Sequence, residues 1–314
     1  MSEFTIVFDV GGLYIKAAVL NQYGKVVPNT YAVYPSKSKE NKDELLNHFV
    51  DLFKQQVSRI MEKQVQINGI GFAFPGPFDY EEGTCYIQGG DKFESIYGVN
   101  LRTELMQMLS QESFFAQKQS ADFHIVFEND ANLFALGELV SGKVKSTGKS
   151  ICITIGAGLG STFIENGEMV KYRDDVPNHG WMYAAPFRDS IVDDYISRRG
   201  FNRLKSELGI DLTLDIRDLM EAARQGDLLT ASLFHSFGLM LGEMLIPFVQ
   251  AFKPEALFIA GEIAKSHDLF IGGCRAALEG YELSIEISDE ASMSTFIGVS
   301  KLLEQSKQIL TSIE

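Results

Sequence analysis

Two glycine turns, one in each half of the chain and each set between strand-like runs, constrain this sequence most. Residues 4–9 and 13–20 read as β-rich runs joined at Gly11-Gly12, a hairpin signal. In the second half, Thr154-Ile155-Gly156-Ala157-Gly158-Leu159-Gly160-Ser161-Thr162 lies between strand-like runs at 150–155 and 161–166. Strand-turn-strand, then strand and helix, once in each half, implies two related α/β domains facing each other across a cleft. The 314 residues suffice for two such cores.

The rest of the chain fills in that plan. Residues 25–33 read as a third strand. Leu45, Leu46, Phe49, Leu52, Phe53, Val57, Ile60 and Met61 recur at helical spacing over 42–63. A buried-strand pattern at 65–74 stops at Pro75-Gly76-Pro77, where two prolines force a rigid loop. A helix at 101–109 precedes a polar crossover at 111–122, and a second cycle opens with a strand at 124–127 and a helix at 131–140. Helical periodicity then dominates 190–208, 216–224, 228–252 and 294–313, interrupted by a buried strand at 256–260.

Composition excludes several function classes. Hydrophobic residues make up 45% and charged residues 22%, the balance of a globular chain that folds by packing. A formal charge of −14 repels phosphate backbones and anionic lipid, so no nucleic acid or membrane partner is expected. A nucleotide remains compatible, because backbone N–H groups hold a phosphate locally. Cys85, Cys152 and Cys274 are far apart and sit in or beside apolar stretches, which suits core thiols in a reducing cytosol. The N-terminal segment enters a strand pattern with no leader signature, and no apolar run approaches the roughly 18 residues that span a bilayer. A cytoplasmic protein is expected.

Chemistry concentrates at three places. Asp9-Val10-Gly11-Gly12, with Lys16 on the next run, puts a carboxylate beside a turn without side chains; backbone N–H groups there can approach a phosphate, and Asp9 can hold magnesium through water. An ordinary Gly-Gly hairpin explains the same residues equally well. The glycines at 156, 158 and 160 make a concave run of amides. A strand rather than a helix follows them, which excludes a dinucleotide fingerprint, and no Gly-Lys-Ser/Thr closes a Walker loop. Glu128-Asn129-Asp130-Ala131-Asn132 stands where a strand passes into a helix. Asp130 is either an N-cap contributing about 1 kcal/mol or a carboxylate that takes a proton from a substrate hydroxyl, with Asn129 binding another hydroxyl.

The order of DVGGLYIKAAV, GFAFPGPFDYEEG, ENDAN, TIGAGLGST and LFIAGEIAKSHDLF resembles that of ROK-family sugar kinases, in the actin/hexokinase/Hsp70 superfamily, over nearly the whole chain. The resemblance implies two ribonuclease H-like α/β domains around a central cleft: residues 1–118, completed by a C-terminal helix at about 295–314, and residues 119–294. It implies ATP-dependent phosphorylation of a sugar hydroxyl with Asp130 as catalytic base, and Asn129 and the Gly76 loop at the sugar. Asp9, Gly11, Gly12, Leu13, Lys16, Gly156, Ala157, Gly158 and Gly160 would flank the ATP phosphates and magnesium, and Gly261-Glu262 would border the adenosine. Homodimerisation is implied as well.

The departures from the family pattern are specific. Leu13 and Ala157 stand where the family usually has threonine, so two hydroxyl donors to phosphate are missing. Asn178 and Trp181 fall on the Glu and His of a Glu-x-Gly-His segment that elsewhere precedes a zinc-binding cysteine cluster. No such cluster follows here, so no zinc is expected. Asn178, His179 and Trp181 then imply a sugar pocket altered from that for plain glucose. A satisfied structural histidine and a core tryptophan are the competing accounts. Asp193 matches a second sugar-binding carboxylate. The segment Gly90-Asp91-Lys92-Phe93 reads as a solvated loop at the substrate entrance, with Lys92 able to attract an anionic substituent. ROK-type regulators carry a helix-turn-helix before the kinase-like part, and with the first phosphate motif beginning at Asp9 no such domain is expected here. A degenerate sugar sensor and a polyphosphate-dependent kinase remain as alternatives.

Overall fold

A computed structural model describes residues 2–62, 64–89, 92–144 and 148–311, with side chains to 306. The chain divides into two units, 1–141 with 292–314, and 142–291.

The first unit is built on β1 (Ser2–Val10), β2 (Tyr14–Asn21), β3 (Ala32–Pro35), α1 (Lys42–Ser58) and β4 (Val65–Ala73). A two-residue hairpin, β5 (Phe78–Asp79) and β6 (Thr84–Cys85), follows, then α2 (Leu101–Ser110), α3 (Ser113–Ala116), β7 (Gln119–Glu128) and α4 (Asp130–Val140). The sheet order is β3-β2-β1-β4-β7. The first three strands are antiparallel, whereas β4 and β7 run parallel to β1. Strands β1, β2 and β4 are apolar on both faces because both are covered. Leu45, Phe49, Leu52 and Phe53 of α1 bury one face, and Phe296, Val299 and Leu303 of the C-terminal helix bury the other.

Three expectations change here. The third strand lies at 32–35 rather than 25–33, because a turn at 21–24 and the buried Thr30, whose Oγ1 donates to Val27 O at 2.7 Å, hold the earlier residues as a loop. The crossover at 111–122 contains α3 and the start of β7. The strand and helix at 119–141, assigned from sequence to the second half, belong to the first unit, since β7 pairs with β4.

The second unit repeats the plan. It contains β8 (Lys149–Ile155), β9 (Leu159–Glu165), β10 (Glu168–Val170), a hairpin of β11 (Pro186–Phe187) and β12 (Ser190–Ile191), α5 (Arg198–Glu207), α6 (Ile216–Arg224) and α7 (Leu228–Phe252). Then come β13 (Ala256–Ala260), α8 (His267–Ala277) and β14 (Ser284–Ile287), and α9 (Ala291–Thr311) returns the chain to the first unit. The order β10-β9-β8-β13-β14 again combines an antiparallel meander with two parallel strands. The expected helix at 190–208 starts only at Arg198, where Ser197 caps it.

By length and composition α7 could cross a membrane, contrary to the sequence expectation. In the fold it is a core helix: Leu233, Phe234, Phe237, Leu241, Leu245 and Phe252 are buried in the second unit's core. Its Gly238 lies against α8, where a Cβ would come within 1.9 Å of Phe270 O. Cys85, Cys152 and Cys274 are buried.

Candidate active site

Register gathers the first unit's candidate residues. Asp9 of β1 lies opposite Ala73 of β4, and Ala73 lies opposite Glu128 of β7. The Gly11-Gly12 turn, the Phe74 to Pro77 loop and Asn129-Asp130 therefore leave the sheet at one end, the carboxyl end of its parallel strands, where α/β sheets usually bind ligands. Across the hairpin Asp9 is paired with Lys16. The Lys16 ammonium lies 3.3 Å from Asp9 Oδ2 and donates to Ser292 Oγ at 2.8 Å.

Asn129, not Asp130, caps α4. Its extended backbone (φ −64°, ψ 143°) makes it the N-cap, and its Oδ1 accepts the Ala131 N–H at 2.9 Å. Asp130 is the first helical residue, and its own Oδ1 also accepts from Ala131 N–H at 2.9 Å. Capping thus falls one residue earlier than expected, and the Asp130 carboxyl stays accessible. The surrounding protein nevertheless limits its hydration. That desolvation, followed by the like charge of Asp9, raises its pKa to about 6 against the pull of the Ala131 N–H and Lys16. A carboxyl poised there is unprotonated at neutral pH and still basic enough to accept a proton.

Two neighbours set this geometry. Buried Glu128 accepts from Asn129 N–H at 2.8 Å and from Asn132 Nδ2 at 2.9 Å. The Tyr80 hydroxyl donates to Phe74 O at 3.0 Å and lies 3.5 Å from Asn129 Nδ2. A Cβ on Gly76 would be 3.4 Å from that hydroxyl, so Gly76, Tyr80 and Asn129 are neighbours.

At the first glycine turn, Gly11 N–H donates to Tyr14 O at 2.9 Å, while Gly12 O accepts from Ser36 Oγ at 2.8 Å and Ser38 Oγ at 2.7 Å. Leu13 projects with 62% of its surface exposed. Gly90 and Asp91 lie outside the described residues.

The second unit builds its own loop end. Thr154 of β8 lies opposite Ala260 of β13, so the Gly156-Ala157-Gly158 turn and Gly261-Glu262 emerge together. Gly160 is already inside β9. The turn closes through Gly156 N–H to Gly158 O at 2.9 Å. Asp193, expected to meet sugar, has both oxygens engaged within this unit: Oδ1 accepts the Leu159 N–H at 2.7 Å, and Oδ2 accepts from Arg199. Arg198 N–H donates to Gly156 O at 2.9 Å, and its guanidinium binds Glu262, so one residue links both predicted nucleotide loops.

Asn178 and His179 lie in a one-turn helix at Asn178–Gly180, which Ser161 fastens to β9 by donating to Gly180 O at 2.7 Å and accepting from Met182 N–H at 2.8 Å. The His179 ring stacks on Trp181 with centroids 4.6 Å apart, and its Nδ1 lies 2.9 Å from the Tyr172 hydroxyl. One indole face is thereby occupied, while the enclosed Trp181 Nε1 has no hydrogen-bond partner among the described residues. Among the described residues no group of three or more His, Cys, Asp or Glu is arranged to hold a metal.

Residues 5–286 match the ROK family. The chain belongs to that family. It is 23% identical to a glucokinase of Halalkalibacterium halodurans over 300 residues, covering 88% of this chain and 85% of that protein. It is also 21% identical to the xylose repressor of Bacillus subtilis over 281 residues, covering 87% of this chain and 68% of the repressor. The fold matches that of a ROK glucokinase from Streptomyces griseus solved with glucose and AMPPNP, with a TM-score of 0.72, 18% identity, and 96% and 99% of the two chains covered. The ROK fold class read from the motifs holds.

In this ROK chain the sequence reading missed Glu128 as an anchor, Tyr80, and the pair Arg198-Arg199. The arginines follow Ser197, a good N-cap, and that signal was hidden by reading 190–208 as one helix. Tyr80 stands only three residues beyond Pro77, but no spacing rule points its hydroxyl at Asn129.

Proposed function

We propose that this ROK protein is an ATP-dependent kinase for a hydroxyl of a sugar or sugar derivative, with Asp130 as general base. One observation carries the reading: a carboxyl raised to about 6 stands at the end of the sheet that also presents Asn129, Asp9 and the Gly11-Gly12 turn. Asn129 and the Gly76 loop orient the sugar. The substrate O–H donates to the Asp130 carboxylate, its oxygen bonds to the γ-phosphorus, and the bond from that phosphorus to the bridging oxygen breaks. ADP leaves with the electron pair, and the proton stays on Asp130. Backbone N–H groups at the Gly11-Gly12 turn would receive the phosphates, and positioning with electrostatics supplies the rate. Magnesium carried with the nucleotide would neutralise phosphate charge, and Asp9, an oxygen donor suited to a hard cation, fits it through water.

The experiment is ADP release with ATP and magnesium across hexoses, N-acetylated amino sugars, disaccharides and uronic acids, native chain against Asp130→Asn. Loss of the base lowers turnover roughly 100- to 10,000-fold. A second reading, a non-catalytic sugar sensor, is favoured by exposed Leu13 and by Ala157, which offer no hydroxyl to phosphate, and by repressors among the relatives. Sugar binding without turnover on any member of the panel would establish the sensor instead.

A further inference from the structure

The Gly11-Gly12 turn has a cation of its own that comes from a distant loop. A Cβ on Gly12 would lie 2.5 Å from Lys92 Cδ, 2.9 Å from Cε and 2.8 Å from Nζ. The Lys92 stem and ammonium thus lie directly over the Gly12 backbone, in space that only a glycine leaves open.

This placement is built. Phe93, next in the chain, is 1% exposed with φ 61°, its ring packs on Phe74 at 5.2 Å, and its N–H donates to Ser38 O at 2.6 Å. Ser38 Oγ in turn donates to Gly12 O at 2.7 Å. The backbone that carries Lys92 and the turn beneath its ammonium are therefore held by the same serine.

Among the described residues the charge of Lys92 is uncommitted. Lys16, the other lysine at the turn, is engaged by Asp9 and Ser292. No carboxylate among the described residues pairs with Lys92. A half-buried lysine with no carboxylate partner among the described residues, its ammonium over Gly12 of the turn, is suited to receive an anion. Resting on the kinase reading, we propose that Lys92 binds the terminal phosphoryl group of the nucleotide at the Gly11-Gly12 turn. It supplies from another loop the donor that Leu13 lacks. Lys92 would hold the phosphoryl oxygens by hydrogen bonds and charge, and would take no part in the proton transfer.

Calorimetric titration with AMPPNP and with ADP, each with magnesium, separates this role from its competitors. Lys92→Met should weaken AMPPNP roughly 10- to 100-fold, the loss of a charge-assisted bond, and leave ADP within about 3-fold because ADP lacks the group Lys92 touches. Lys92→Arg, which keeps the charge, should recover most of the AMPPNP affinity. Lys92 is at the surface, and an unchanged thermal melt confirms that each variant is folded. Equal AMPPNP affinity in native and Lys92→Met chains overturns the proposal and leaves the kinase reading standing, as does an equal loss for ADP and AMPPNP. A native chain that binds neither nucleotide removes both.

Discussion

The two glycine turns occupy equivalent places in two sheets of the same topology, yet they are held in opposite ways. At Gly11-Gly12 the carbonyl is fixed from behind by two neutral serine hydroxyls, and the cations beside it are a lysine shared with Asp9 and a lysine with no carboxylate partner among the described residues. At Gly156-Gly158 the two described arginines beside the turn are matched: Arg199 with Asp193 and Asp194, and Arg198 with Glu262. The first turn is electrostatically open and the second closed. A turn that must receive concentrated charge benefits from uncommitted donors, whereas one that offers mainly backbone amides benefits from rigid bracing.

Glycine substitutions test that contrast most harshly. Gly261 has φ +103°, and a Cβ there would lie 2.5 to 2.9 Å from the backbone of Ile155, which cannot move without breaking β8. Gly261→Ala should cost about 2–5 kcal/mol, combining left-handed strain and overpacking, read as a shifted denaturant midpoint. At Gly12 the obstacle is the flexible Lys92 side chain. Gly12→Ala should therefore fold with a loss below about 1 kcal/mol and displace the ammonium instead. Equal destabilisation by both would remove the distinction between a braced and a compliant turn.

Within the braced turn, the contributions should be unequal. The Asp193 side chain is 15% exposed and accepts a backbone N–H, so Asp193→Ala strands the Leu159 donor and should cost about 1.5–3 kcal/mol. Arg199 is 65% exposed, and solvent screens its half of the pair. Arg199→Ala should cost under about 1 kcal/mol. Chemical denaturation of the two variants beside the native chain measures both, and a larger loss for Arg199→Ala would place the brace in the ion pair rather than in the backbone bond.

This asymmetry was only half legible in the sequence. Glycine spacing and apolar runs report local backbone and burial, so the two turns, α1, α7 and the strands around them could be read directly. Register could be inferred only from motif order, yet register is what brings Asp9, Gly76 and Asn129 to one edge. The capping role went to Asn129 because Asn and Asp are near-equal caps, and only the backbone angles choose between adjacent candidates. Lys92 over Gly12, 80 positions away, and Asp193 on Leu159, 34 positions away, are contacts that no local pattern encodes.

If the first unit is the electrostatically open one, pH should act there, and through Asp130. Its folded pKa of about 6 exceeds the unfolded value of about 3.9, so the folded chain binds more protons between those values. Stability contributed by the neutral carboxyl is present below about pH 4 and is lost as pH rises through about 6. Asp130→Asn, which keeps an acceptor for the Ala131 N–H and cannot ionise, should thus melt higher than the native chain at pH 7 while being inactive. Activity runs the other way: kcat/KM should rise with pH through about 6 as the base loses its proton. Asp9→Asn removes the second cause of the shift and leaves the first, desolvation by the surrounding protein, in place. A carboxyl-carbon NMR titration of that variant should move the Asp130 midpoint down from about 6 without reaching its unfolded value. A midpoint unmoved by Asp9→Asn would mean that the two carboxylates do not share one field, and the reading of this sheet end as a single charged site would lose its electrostatic support.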